Sequence, residues 1–166
     1  LREEAYRDAL RDLGPALSPF NAWVLLKGME TLDLRVRSQR DTAALLAAAI
    51  AAHPKVKRCF YPTRPDHPQY ATAIKQMSGG GTIVSFDVGD GPAAFNVLNA
   101  LQVVDISNNL GDAKSMATHP WTTTHRSTPE EERLAIGLTD GCLRLSVGLD
   151  GALDLKHDVL RALDRA

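Results

Sequence analysis

The sequence predicts an α/β (α+β) fold: a small, mainly antiparallel four-stranded sheet with helices on one face, preceded by a long connecting helix. Three observations carry that expectation. Four short segments with strand character alternate with segments of helical period. Clusters of proline, glycine and asparagine punctuate the junctions. Ahead of the first strand, a helical pattern runs from Pro19 to about His53, longer than a small domain needs for itself.

Taken in order, Arg2–Leu13 reads as a short charged helix stopped by Gly14-Pro15. Ser18-Pro19 supplies an N-cap followed by proline at the first helical position. The long helix then runs to Pro54, with Gly28 marking close packing or a bend. Val56–Tyr61 is a strand, "TRPDHP" a loop, and Gln69–Met77 a helix. After Ser78–Gly81 comes the clearest strand, Thr82–Val88, then a helix over Pro92–Leu101 and a strand over Gln102–Ser107. The stretch "NNLGDAKSMATHPWTTTHRS" reads as polar loop. "TPEEERLAIG" is a helix with proline at its first position and an acidic first turn. A strand over Cys142–Val147 and a helix over Gly151–Leu163 close the chain. Two parts result: 1–53, a connecting helical segment, and 54–166, a C-terminal α/β domain. The chain opens directly in helical pattern with no initiator methionine, and is read as a piece of a longer protein.

Composition narrows the class. The chain has 166 residues with 44% hydrophobic and 23% charged content, which suits one soluble domain with a real core. Its 19 basic and 20 acidic residues leave a net charge of −1, so no nucleic-acid or membrane partner is expected. No apolar run reaches membrane-spanning length and no leader pattern is visible, so the location is read as cytoplasmic. Cys59 and Cys142 are read as buried free thiols.

Several stretches invite a chemical reading. "MSGGGT" lacks the lysine of a phosphate loop and leaves a helix for a strand, so it is a connection. His119 and His125, with Asp112 nearby, match no common metal-ligand spacing, and no metal site is assigned. "SNNLGDAKS" follows a strand and suits either an anion-binding turn or an ordinary Asn/Gly turn. "GCLRLSVG" places Arg144 mid-strand, alternating with Leu143, Leu145 and Val147. A guanidinium there needs an anion. Asp105, Asp112 or Asp140 could supply a structural partner; a ligand carboxylate gripped at two points is the other reading.

Five motifs in order then resemble the C-terminal part of the Cys/Met-metabolism PLP-dependent enzymes. They are "SPFNAWVLLKGMETLDLR", "HPQY" with "MSGGGTIVSFDV", "NNLGDAKSMATHPWTTTHR", "TPEEERLAIGLTDGCLRLSVGLD" and "DLKHDVLRAL". That family includes cystathionine synthases and lyases, methionine γ-lyase and the homoserine-ester sulfhydrylases. Within it, "ISNNLGDAKS" and "HPWTTTH" look most like O-succinylhomoserine sulfhydrylase. The synthases and lyases would more often show Ser-Leu-Gly-Gly at "NLGD", so Asn109 stands where many relatives carry serine.

The resemblance implies that Arg144 holds the α-carboxylate of an amino-acid substrate, with a second contact at Asn109 through its backbone. Asn108, Thr124 and Ser146 are candidate supporting residues. It implies pyridoxal 5'-phosphate as cofactor, bound mainly by an upstream domain of the same polypeptide. The PLP-bearing lysine would lie there too, in a Ser-x-Thr-Lys setting that none of Lys27, Lys55, Lys57, Lys75, Lys114 or Lys156 has. No catalytic residue is therefore assigned in this chain, and alone it should be inactive. The parent would be a homo-oligomer, expected as a tetramer, making homocysteine from an O-acyl, expected O-succinyl, homoserine and sulfide. Cystathionine γ-synthase or a γ-lyase remains the alternative within the family, and a non-catalytic carboxylate-binding domain the alternative from another class.

Overall fold

The computed structural model describes residues 2–4, 6, 10, 11, 13, 14 and 16–166. The chain divides into two compact units, residues 1–34 and 35–166. The first holds α1 (Arg2–Glu4) and α2 (Pro19–Glu30). Residues 5, 7–9 and 12 of the helix expected over Arg2–Leu13, and Pro15 of its stop signal, lie outside the described residues. Ser18 caps α2 as its sequence predicts, its Oγ accepting the Asn21 N–H at 3.2 Å. None of the residues of α2 is buried.

The long helix expected from Pro19 to His53 is two helices. The break falls at Thr31, whose φ of −109° and ψ of 9° leave the helical region and whose N–H turns to the Met29 carbonyl. Thr31 is a weak helix former, and the ladder is interrupted there, while Gly28 stays within α2. The second helix, α3 (Leu32–Ala51), buries Ala43, Leu46, Ala47 and Ile50, an i, i+3, i+4, i+7 stripe.

The strands are β1 (Arg58–Phe60), β2 (Ile83–Asp87), β3 (Asp105–Ile106), β4 (Met116–Thr118) and β5 (Cys142–Ser146). Between them lie α4 (Tyr70–Gln76), α5 (Gly91–Ala100) and α6 (Glu130–Ala135), and α7 (Ala152–Leu163) ends the chain. They form one sheet in the order β1-β2-β5-β4-β3, antiparallel throughout except where β3 runs parallel to β4. The mainly antiparallel sheet is as predicted, but it has five strands rather than four. β4 lies inside the stretch read as polar loop, and it separates β5 from β3. Three residues are too few to show an alternation, although Ser115 to Pro120 are all buried.

The expected strand over Gln102–Ser107 shrinks to two residues for a visible reason. The N–H groups of Gln102, Val103 and Val104 donate to the carboxylate of Asp158 on α7, at 2.9–3.2 Å, not to a neighbouring strand. Burial pushes Asp158 upward, but those donors and the Arg161 guanidinium outweigh it and hold the carboxyl below its ordinary value.

One face of the sheet carries Val84, Phe86, Ala117, Leu143, Leu145 and Val147 into a core shared with α3, α5 and α7. Ala94 and Val97 come from α5, and Leu155, Val159 and Leu163 from α7. Each large side chain buried there contributes about 1.5–3 kcal/mol. The "SGGG" connection is fitted to this core: a Cβ on Gly80 would sit 2.3 Å from the Tyr61 ring, whose hydroxyl donates to the Gly81 carbonyl at 3.0 Å. With β2 and β5 committed inward at alternate positions, the opposite face is left to the remaining side chains. Phe60, Ser85, Arg144 and Thr118 stand side by side on it, across four strands.

Candidate functional site

Arg144 occupies the centre of that second face, on the central strand of the five. Its side chain is half-buried, and burial pushes its pKa below the usual arginine value. A guanidinium nonetheless stays charged in a protein. Nη2 donates to the carbonyls of Asn108 at 2.8 Å and Asn109 at 3.3 Å. Nε is buried with no partner. Among the described residues no carboxylate pairs with Arg144. Asp105 is with Lys114 at 3.3 Å, and Asp140 accepts the Gly91 N–H at 3.2 Å. Asp112 accepts the Lys114 N–H at 3.3 Å. A positive charge taken partly out of water and given only two neutral acceptors has capacity left for an anion.

The loop supplying those acceptors is anchored from several sides. Ser146, two residues along β5 and so on the same face, accepts the Gly111 N–H on its Oγ at 3.0 Å. Gln39 of α3 donates from Nε2 to the Asp112 carbonyl at 2.8 Å. Ser115 donates its N–H to Asp150 at 2.8 Å, and its Oγ accepts the Gly148 N–H at 2.8 Å. Gly148 is required there, since a Cβ would sit 2.4 Å from the Ala113 oxygen and the Ser115 nitrogen.

Of the sequence-predicted residues, Arg144, Asn108, Asn109 and Ser146 are thus brought together. Asn109 is exposed; its carbonyl faces Arg144 while its N–H donates to Ser107 Oγ at 3.2 Å. Thr124 shares no hydrogen bond with this cluster; its Oγ1 is hydrogen-bonded to Nδ1 of His125 at 2.9 Å.

Beside Arg144 lies a cleft of about 280 Å³, with Phe60, Ser85, His125, Ile136 and Leu138 in its lining. Its outer wall is the excursion from His119 to Asp140, which carries α6. His119 closes the base of that excursion. The Asp140 carbonyl can only accept, so His119 donates to it from Nε2 and accepts from Thr122 Oγ1 on Nδ1. Both its ring nitrogens are therefore engaged within the fold. Arg133 stacks over Trp121, 3.7 Å from the ring centroid, and donates to its carbonyl at 3.1 Å. Buried Asp87 ties the far end, accepting from Thr139 Oγ1 at 2.8 Å, Gly89 N–H at 2.7 Å and Arg58 at 3.0 Å. Burial pushes its carboxyl up; those donors outweigh the burial and leave it below the ordinary value.

Sequence reasoning missed Gln39, Phe60, Ser85 and Asp87. Gln39 had a signal: it is a polar residue in register with the apolar stripe of α3, four positions before Ala43. The others gain meaning only from the cross-strand register. Among the described residues no lysine lines the cleft. Lys27 pairs with Glu30, Lys114 with Asp105, and Lys55 donates to the Asp164 and Ala166 carbonyls.

Comparison with known proteins agrees with the motifs. The model of the family described as Cys/Met metabolism PLP-dependent enzyme matches residues 2–164. The O-succinylhomoserine sulfhydrylase of Mycobacterium tuberculosis is 54% identical over 160 residues, 93% of this chain and 39% of that protein. The O-succinylhomoserine sulfhydrylase of Pseudomonas aeruginosa is 44% identical over 155 residues, 93% of this chain and 38% of that one. Among solved structures, a cystathionine γ-lyase of Micromonospora echinospora superposes with a TM-score of 0.90 at 35% identity, covering 99% of this chain and 43% of that chain. The chain thus spans about 39% of the length of the first of these relatives. With a family model covering nearly all of its length, and the arginine-bearing strand set in the matching fold, this chain belongs to the Cys/Met metabolism PLP-dependent enzymes.

Proposed function

We propose that this chain is the C-terminal, substrate-carboxylate-binding domain of a PLP-dependent sulfhydrylase. The parent would make homocysteine from O-succinylhomoserine and sulfide. The observation that carries the reading is Arg144: a half-buried guanidinium on the open face, held by two backbone carbonyls, with a buried Nε that has no partner. A carboxylate docked on the remaining donors satisfies both charge and geometry, and it fixes the amino acid's orientation as well as its position. The succinyl preference is supported by the "ISNNLGDAKS" and "HPWTTTH" motifs and by the two O-succinylhomoserine sulfhydrylases at 54% and 44% identity.

The residues present do not make a PLP site by themselves, since none of the described residues lining the cleft is a lysine. The cofactor and its lysine belong to an upstream domain of the same polypeptide. Residues 1–53 lead from that domain into 54–166, with the second half of α3 already packed in the core. On this reading the isolated chain binds PLP weakly and does not turn over substrate, while the parent is a cytoplasmic homo-oligomer, expected as a tetramer.

The test is the full-length protein, reconstituted with PLP and assayed with sulfide against O-succinyl-, O-acetyl- and O-phospho-homoserine. Homocysteine formed fastest from the succinyl ester supports the proposal. Cystathionine from cysteine as the dominant product, or γ-elimination without sulfide addition, overturns the sulfhydrylase assignment. A 166-residue chain that retains PLP absorbance through dialysis overturns the placement of the lysine.

A further inference from the structure

We infer that Gln39 is a positioning residue for the Arg144 site, acting through the Asn108–Asp112 loop. The inference rests on the carboxylate-binding reading of Arg144. Gln39 is only 4% exposed, yet it is polar and sits in the stripe by which α3 joins the core. Burying a side-chain amide is unfavourable unless it is hydrogen-bonded. Its Nε2 donates to the Asp112 carbonyl at 2.8 Å, across 73 positions of sequence. That carbonyl belongs to a loop whose residues are otherwise largely exposed from Asn108 to Lys114.

The geometry forms a short chain of contacts. Gln39 holds Asp112, Ser146 holds the adjacent Gly111, and the carbonyls of Asn108 and Asn109 hold Nη2 of Arg144. Ser146 and Arg144 hold the loop from β5, and Ala113 and Ser115 tie its far end to the turn that follows that strand. Gln39 comes from a different element, α3, and adds a tie at Asp112 from outside that strand and its turn. The orientation of the guanidinium, and with it the donors left for a ligand, then depends on a helix that touches neither ligand nor Arg144.

The experiment uses the full-length protein in four forms: unmodified, Gln39→Met, Arg144→Lys and the two substitutions combined. Gln39→Met keeps length and apolar bulk while deleting the donor. KM and kcat for O-succinylhomoserine are read together with hydrogen–deuterium exchange over residues 105–115. Loss of one hydrogen bond should raise KM about three- to tenfold with kcat within about twofold, and loop exchange should rise by a similar factor. Gln39→Met and Arg144→Lys combined should raise KM by less than the product of the single effects, because they act through one loop. Should Gln39→Met fail to fold, Gln39→Ala, which leaves room for a water at Asp112, carries the same readings.

Unchanged KM in Gln39→Met, beside a raised KM in Arg144→Lys, overturns the inference and leaves the carboxylate site standing. Faster loop exchange with unchanged KM makes Gln39 structural only and also overturns it. Unchanged KM in Arg144→Lys overturns the carboxylate reading, and the inference falls with it.

Discussion

Replacing Arg144 with lysine in the full-length protein isolates the proposed grip from the positive charge. In the structure, Nη2 is occupied by the carbonyls of Asn108 and Asn109, at 2.8 and 3.3 Å. Nε has no partner. A carboxylate must use the donors that remain, so the planar fork serves loop and ligand at once. A lysine ammonium is a single point: if it satisfies the loop it offers the ligand a poorer angle, and if it turns to the ligand the loop loses its anchor. The expected loss is that of one charged hydrogen bond, about 1.5–3 kcal/mol, or roughly ten- to a hundredfold in kcat/KM. The assay is kcat/KM for O-succinylhomoserine and for its α-carboxamide analogue, with both forms. The two forms should differ strongly on the acid and converge on the amide, where there is no carboxylate to grip. Global stability by urea titration should shift by no more than about 1 kcal/mol, since only neutral acceptors lose their partner. An equal loss on acid and amide, or turnover within twofold on the acid, would refute the clamp.

Four further outcomes follow from the packing. Asp158→Ala leaves one buried and two part-buried backbone N–H groups and the half-exposed Arg161 without their acceptor, a loss of about 1–3 kcal/mol, measurable by urea unfolding at neutral pH. A loss under about 1 kcal/mol would mean water takes over the site. Because the folded pKa of Asp158 is depressed, its contribution is present above the unfolded carboxylate pKa and fades as pH falls through the folded value; the gap between the unmodified protein and the alanine variant should close on acidification. Gly148→Ala forces a Cβ against backbone at 2.4 Å and should destabilise by about 1–3 kcal/mol, lowering the melting temperature; an unchanged melting temperature would mean the turn can yield. Burial pushes the Cys59 thiol up to about 11, so it should resist a disulfide reagent at pH 8 in the native protein and react at once in denaturant; equal rates in both would contradict that burial.

Much of this protein was legible before folding was considered. The strands Ile83–Asp87 and Cys142–Ser146 announce themselves by alternation, because a strand with one face in a core repeats every two residues. Capping of α2 by Ser18 is likewise local chemistry, and the same alternation sets Arg144 apart from the core-facing leucines. What sequence alone left open was decided by contacts far apart in the chain. Gln102–Val104 has strand character, yet its N–H groups meet a carboxylate some 55 positions away, and a charged acceptor outcompetes a neighbouring strand. Met116–Thr118 becomes a strand only because β5 and β3 leave a place between them. The α2–α3 break falls at Thr31 and not at Gly28, since a glycine within a helix is tolerated where the ladder around it holds. For Arg144 the sequence determined that an anion was wanted. Tertiary structure decided that Asp105, Asp112 and Asp140 are all engaged elsewhere and that two carbonyls and a distant glutamine shape what remains. Periodicity reports which way a side chain faces; the partner it meets there depends on which surfaces the whole chain brings together.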